Sequence, residues 1–226
     1  PNHDELVEWR SAFIDVTVQL GTSGTPELAE PARLIMANTF RGLWRQPAIR
    51  DKLVEAAYTL HAHHPWGEGW KAVRSTIYFD HTKRNDEDDV EPLPDTLAAL
   101  ERKLEPHDLI PSIMTYVLSK GAYYWDLDVN FDHSNPNSYH ESERRLESKA
   151  FRLGEEFATS DHKLEELGTS LFSNDWLPYR AAFGRGMARG AHDLRTVWLL
   201  LIEQLERQPE GHNNFLIFKG FLEETG

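Results

Sequence analysis

Apolar side chains recur at helical spacing along nearly the whole chain, and this pattern constrains the fold more than any other feature. Leu6, Trp9, Phe13, Val16 and Leu20 define one stripe. Leu28, Ala32, Ile35, Met36, Phe40, Leu43 and Trp44 define a second. Pro47 suits the first turn of a helix carrying Ile49, Leu53, Ala56 and Leu60. Trp66, Trp70, Val73 and Ile77 follow, then Leu97, Leu100 and Leu104, then a broad run from Leu109 to Leu118. Ser138 and Glu141 have the spacing of a capping box ahead of Leu146, Ala150, Leu153 and Phe157. Asp161, Asp175 and Asp193 each stand where a carboxylate could cap the next apolar stripe. Gly211 to Asn214 precede the last stripe, Phe215, Phe218 and Leu222.

About eleven helices on short Pro- or Gly-marked turns suit stacked antiparallel pairs. The reading is therefore all-α: an irregular, HEAT-like α-solenoid forming one helical-repeat domain over residues 1–226, with a compact helical bundle as the alternative. No tight repeat consensus recurs.

Two segments resist a helix. Residues 83–95 hold the acidic run Asp86–Asp89 with Pro92 and Pro94, which reads as a solvated loop. Residues 121–137 form a long aromatic insertion in which Trp125, Leu127, Val129 and Phe131 alternate with Asp126, Asp128, Asn130 and Asp132. Period two is the strand template, and a loop packed over a helix seam is the other reading. Long irregular insertions in helical domains are often functional, so Tyr123, Tyr124 and Trp125 are the candidate binding anchors.

Composition narrows the chemistry. The chain lacks cysteine, which excludes disulfides, thiolate metal sites and a cysteine nucleophile. A formal charge of −13 argues against nucleic acid and anionic membrane as partners, since both would repel it. The longest apolar run ends in Trp198-Leu199-Leu200-Leu201-Ile202, far short of the ~18 residues of a membrane span. No basic n-region or apolar signal segment opens the sequence, and cytoplasmic residence is the expectation. A start at Pro1 and an apolar final stretch suggest a piece of a longer protein.

No catalytic motif is complete. Asp126-x-Asp128-x-Asn130 begins like a calcium loop, but Phe131 stands where glycine makes the turn and Asn137 where a bidentate Glu belongs. His61, His63 and His64 could serve zinc with carboxylates, which gives the alternative of a metal-dependent hydrolase. No His-Glu-x-x-His pattern fixes a further ligand, and His-His-Pro-Trp also suits a helix end. Gly184, Gly186 and Gly190 make GxGxxxG without a preceding strand, which suits close helix packing better than phosphate binding. Arg180, Arg185, Arg189 and Arg195 make a positive stretch expected to pair internally or at a rim. No Gly-x-Ser-x-Gly elbow is present, and catalysis is not expected, although catalytic groups can meet only in space.

Residues 171–224 carry Gly184 and Gly186, Asp193, Trp198, Leu201, Asn214 and then Lys219-Gly220-Phe221-Leu222. In these features the segment resembles the helical-repeat region that follows the nucleotide-binding module of large bacterial NACHT-like (STAND) signalling ATPases. The resemblance covers about a quarter of the chain and implies a sensor or scaffold beside an ATPase that lies elsewhere. With it, the expected function is a non-catalytic interaction domain of a larger cytoplasmic bacterial signalling protein. It would need no cofactor, and its partner would be a protein or a flanking domain. A small-molecule-binding bundle is a third possibility, marked by a ligand-induced rise in melting temperature.

Overall fold

The computed structural model describes residues 3–82, 91–132 and 134–226. Among them the regular structure is helical and no strand occurs, so the all-α expectation holds. No helix among the described residues is long and apolar enough to cross a membrane. Contacts gather into two compact units, residues 1–106 and 107–226.

The first unit contains α1 (His3–Gly21), α2 (Pro26–Trp44), α3 (Arg50–His63), α4 (Gly67–Thr76) and α5 (Asp95–Leu104). A π-helical turn, Ile77–His81, extends α4. Helix α2 packs on α1 and α4, and α5 closes over α3 and α4. Met36, Phe40, Trp44, Leu53, Leu60, Trp70, Val73, Leu97 and Leu100 form the core, as their spacing indicated. The side chain of Arg33 tethers the end of α3, donating to the carbonyls of Leu60 at 2.7 Å, His64 at 2.6 Å and Pro65 at 3.0 Å. Carbonyls at a helix end lack the full set of intrahelical donors, and a guanidinium supplies several at once.

Helix α1 departs from expectation. Its buried side chains are Ile14 and Thr17, whereas Leu6, Trp9, Val16 and Leu20 are exposed, Trp9 to 74%. The cause lies at the end of the helix. A Cβ on Gly21 would stand 2.6 Å from a methyl of Leu60, so glycine lets α1 come close to α3 on this face. Thr17 meets its own polar requirement by donating to the carbonyl of Phe13 at 2.7 Å.

The second unit contains α6 (Leu109–Tyr116), the single turn α7 (Tyr124–Leu127), α8 (Ser138–Thr159), α9 (Arg180–Gly190), α10 (Leu194–Glu206) and α11 (Leu216–Thr225). Helix α9 lies between α8 and α11 and touches both along its length. Its glycines make this possible: a Cβ on Gly186 would fall 1.9 Å from the carbonyl oxygen of Phe151, and one on Gly184 would fall 2.1 Å from that of Ile217. The GxGxxxG run is thus a helix-crossing device. Phe157, Leu171, Phe172, Phe183, Ile217 and Phe221 fill the core around it.

Three expected helix starts shift. Asp193 caps α10, accepting from the amide of Arg195 at 3.0 Å. Asp161 does not cap: Leu164, Leu167 and Leu171 are buried, but on a 3-10 segment, Leu164–Phe172, that begins after Lys163 and is broken by Gly168 at φ 61°. Asp175 does not cap either, because α9 begins only at Arg180 and the carboxylate pairs with Lys120 at 2.7 Å. Ser138 forms no capping box. It lies inside the first turn of α8 and its hydroxyl accepts from the amide of Asp132 at 2.7 Å, holding the preceding loop. Phe215, just ahead of α11, and Leu222 on it are exposed, while Ile217 and Phe221 are buried.

Candidate functional site

The aromatic insertion is a corner, not a strand. Backbone hydrogen bonds from Leu127 to Tyr123 and from Asp128 to Tyr124, at 3.2 and 2.7 Å, close one helical turn. The alternation then breaks, since Val129 is exposed while Leu127 and Phe131 are buried. A strand would leave its carboxylates pointing alternately outward. Here Asp126 and Asp128 turn inward and hold the corner instead.

Asp126 accepts from the amide of Tyr123 at 3.0 Å. Asp128, 5% exposed, accepts from the Ser142 hydroxyl at 2.5 Å, from Arg145 Nε at 2.9 Å and from the Asn130 amide at 3.0 Å. Helix α8 thereby fixes the base of the corner through a charge-assisted pair. The calcium-like spacing of these carboxylates is spent on this scaffold. Its aromatic layer comprises Phe131 beneath Tyr124 at 6.1 Å between ring centroids, and Tyr139 edge-on to Phe131 at 5.1 Å.

Of the three predicted anchors, Tyr124 is half-buried in this layer. Burial, with the Glu143 charge behind it, raises its phenol above the ordinary range. Tyr123 and Trp125 stack face to face at 4.7 Å with rings 13° from parallel. Tyr123 is 59% exposed. The corner presents a rigid aromatic pair whose low conformational freedom suits a contact anchor.

The histidine cluster is dispersed by its helix end. His61 is half-buried, His63 and His64 are exposed, and His64 Nδ1 sits 3.1 Å from the carbonyl of Pro65. Among the described residues no group of three or more His, Cys, Asp or Glu could hold a metal ion. The arginines mostly pair within their own unit. Arg185 meets Glu223 at 3.2 Å and Arg189 meets Glu224 at 3.3 Å. Arg180 is fully buried and donates to the carbonyls of Ser173 and Ser170 at 2.6 and 2.9 Å. Its burial pulls the guanidinium down to about 10, still charged at neutral pH. The acidic run 86–89 lies outside the described residues.

Sequence reasoning missed the polar network at the π-helical turn. Asp80 receives Arg41 Nη2 and Arg45 Nη2, each at 2.7 Å. Burial would raise its carboxyl, but the hydrogen bonds from Arg45 and Arg41 outweigh this and hold it below the usual carboxylate range. Beside it the Trp44 indole donates to His81 Nε2 at 2.9 Å. His81 Nδ1 lies 3.0 Å from the carbonyl of Glu91, so the ring proton sits on Nδ1. The widened turn aims adjacent Asp80 and His81 at the same helix, a placement no 3.6-residue pattern encodes.

The fold defines an all-α protein, and the corner gives it an aromatic pair with Tyr123 exposed. No family model matches the chain, and no curated protein or solved structure is similar to it.

Proposed function

We propose that this chain is a non-catalytic helical scaffold or sensing domain that binds protein, and that it belongs to a larger cytoplasmic bacterial signalling protein. Its helices stack as an irregular, HEAT-like solenoid, and its partner is a flanking part of the same polypeptide or a separate protein. What carries this reading is the exposed apolar stripe of α1, in which Trp9 is 74% and Val16 55% exposed. Isolated exposed apolar residues are ordinary, but a whole helical stripe of them is the face on which another helix stacks. The Tyr123–Trp125 pair is the second contact point.

The test is affinity capture from lysate with three baits: wild type, Trp9→Ser/Val16→Ser, and Tyr123→Ala/Trp125→Ala. The reading expects a stoichiometric protein partner whose dissociation constant, measured afterwards with purified components, rises at least tenfold in one of the two variants. A partner bound equally by all three baits, or a turnover reaction catalysed by the wild type, overturns it.

A further inference from the structure

A cavity of about 480 Å3 opens inside the second unit, between the end of α8, the start of the 3-10 segment and α10. That volume is in the range that encloses a small organic ligand. Its apolar wall comes from Phe157, Leu164, Met187, Val197 and Leu200.

Of the polar residues that line the cavity, Gln204 alone is buried. Gln204 of α10 is only 8% exposed and lines the cavity. Its carboxamide has no side-chain hydrogen bond among the described residues; only its backbone carbonyl is used, accepting from Gln208 at 2.9 Å. An amide that lines a cavity and has no protein partner keeps its donors and its acceptor open to a ligand.

The rim carboxylates are already engaged. Arg207 is paired with Glu165 at 2.9 Å and with Glu203. Asp193 is engaged by the first turn of α10. No bare carboxylate is left to attract a cation. An anion would meet a rim where carboxylates outnumber Lys163 and Arg207, on a chain of charge −13.

We propose that this cavity binds an uncharged, largely apolar small molecule whose polar edge places a donor beside an acceptor, a carboxamide or lactam. Gln204 would pair with that edge through two parallel hydrogen bonds, and the apolar wall would take the remainder. The site is independent of the docking surfaces proposed above.

The test uses two probes of closely similar shape, naphthalene-2-carboxamide and 2-ethylnaphthalene, titrated into the full chain and followed by naphthalene fluorescence. The wild type is expected to bind the carboxamide about tenfold more tightly than the hydrocarbon, the worth of two net hydrogen bonds. Gln204→Leu is expected to abolish that preference, and Ala158→Phe, which puts a ring into the cavity, to weaken binding of both. Absence of binding to wild type, equal affinity for the two probes, or an unchanged preference in a folded Gln204→Leu protein would each overturn the proposal. Should Gln204→Leu fail to fold, the comparison of the two probes on wild type decides alone.

Discussion

Alanine in place of glycine should have opposite effects on stability at two helix-interior positions of this chain. Gly42 lies in α2, and a Cβ built there meets nothing within 4 Å. Gly42→Ala therefore gains only the backbone term, about 0.5–1 kcal/mol in favour of the fold. Gly186 lies in α9, where the same Cβ would stand 1.9 Å from the carbonyl oxygen of Phe151, 2.8 Å from its carbon and 3.0 Å from the amide of Glu155. All three are backbone atoms of α8, so no rotamer change can relieve the clash. The helices must part by more than about 1 Å to restore an ordinary contact, and separation also thins the packing of Phe157 against Phe183, now 5.9 Å apart. Overpacking of this kind costs about 3 kcal/mol, from which the helix-propensity gain subtracts about 1, leaving a loss of about 2 kcal/mol. Urea unfolding followed by circular dichroism reads both variants. The expected outcome is a raised midpoint for Gly42→Ala and a lowered one for Gly186→Ala, with unchanged slopes. A neutral or stabilised Gly186→Ala would refute the claim that these two helices touch through their backbones.

Two further perturbations test the polar scaffolds. The Asp80 carboxyl is held below its usual range when folded, so its contribution is fully present above the unfolded value and disappears as pH falls through the folded one. The stability of wild type should therefore drop on acidification below the ordinary carboxylate range. Asp80→Asn should be less stable at neutral pH and show a flatter acid limb in urea midpoints measured across pH. Asp128→Ala leaves the buried Ser142 hydroxyl without its acceptor and the partly exposed Arg145 with only the longer contact to Glu141 at 3.7 Å and the Asn130 carbonyl at 3.5 Å. It should cost about 1–3 kcal/mol and loosen the corner, seen as faster amide exchange at Tyr123–Asp128 with α9 unaffected.

Periodicity exposed most helices because burial of one face is a local statistical fact, visible in any window of a dozen residues. The stripes of α3, α4, α5 and α8 all point inward as their spacing indicated. Caps were less legible. A capping side chain competes for other partners, and Asp175 and Ser138 were drawn to Lys120 and to the Asp132 amide, contacts set by tertiary placement. The aromatic corner left two readings open, a strand and a loop over a helix seam. Asp126 and Asp128 found amide, hydroxyl and guanidinium donors, and one closed turn formed where a strand would have had no partner to pair with.

Helix α1 shows what periodicity leaves undetermined. An apolar stripe says that a face avoids water, and it does not say which neighbour will cover it. In α1 the close approach at Gly21 turns Ile14 and Thr17 toward the first unit's core and leaves Trp9 and Val16 outside it. At Gly21 the missing Cβ lets α1 approach Leu60 of α3, and Ser11 and Asp15 meet the same helix through Lys52. Burying Trp9 and Val16 instead would rotate Gly21 away and set α1 further from Leu60. One face of α1 thus meets the helices of its own unit, and the face of Trp9 and Val16 stays exposed. The same division appears in α10, where Leu201 and Gln204 are buried while Leu199 is exposed. Hydrophobicity read from sequence measures the sum of such faces, and only close-approach geometry separates the buried face from the exposed one.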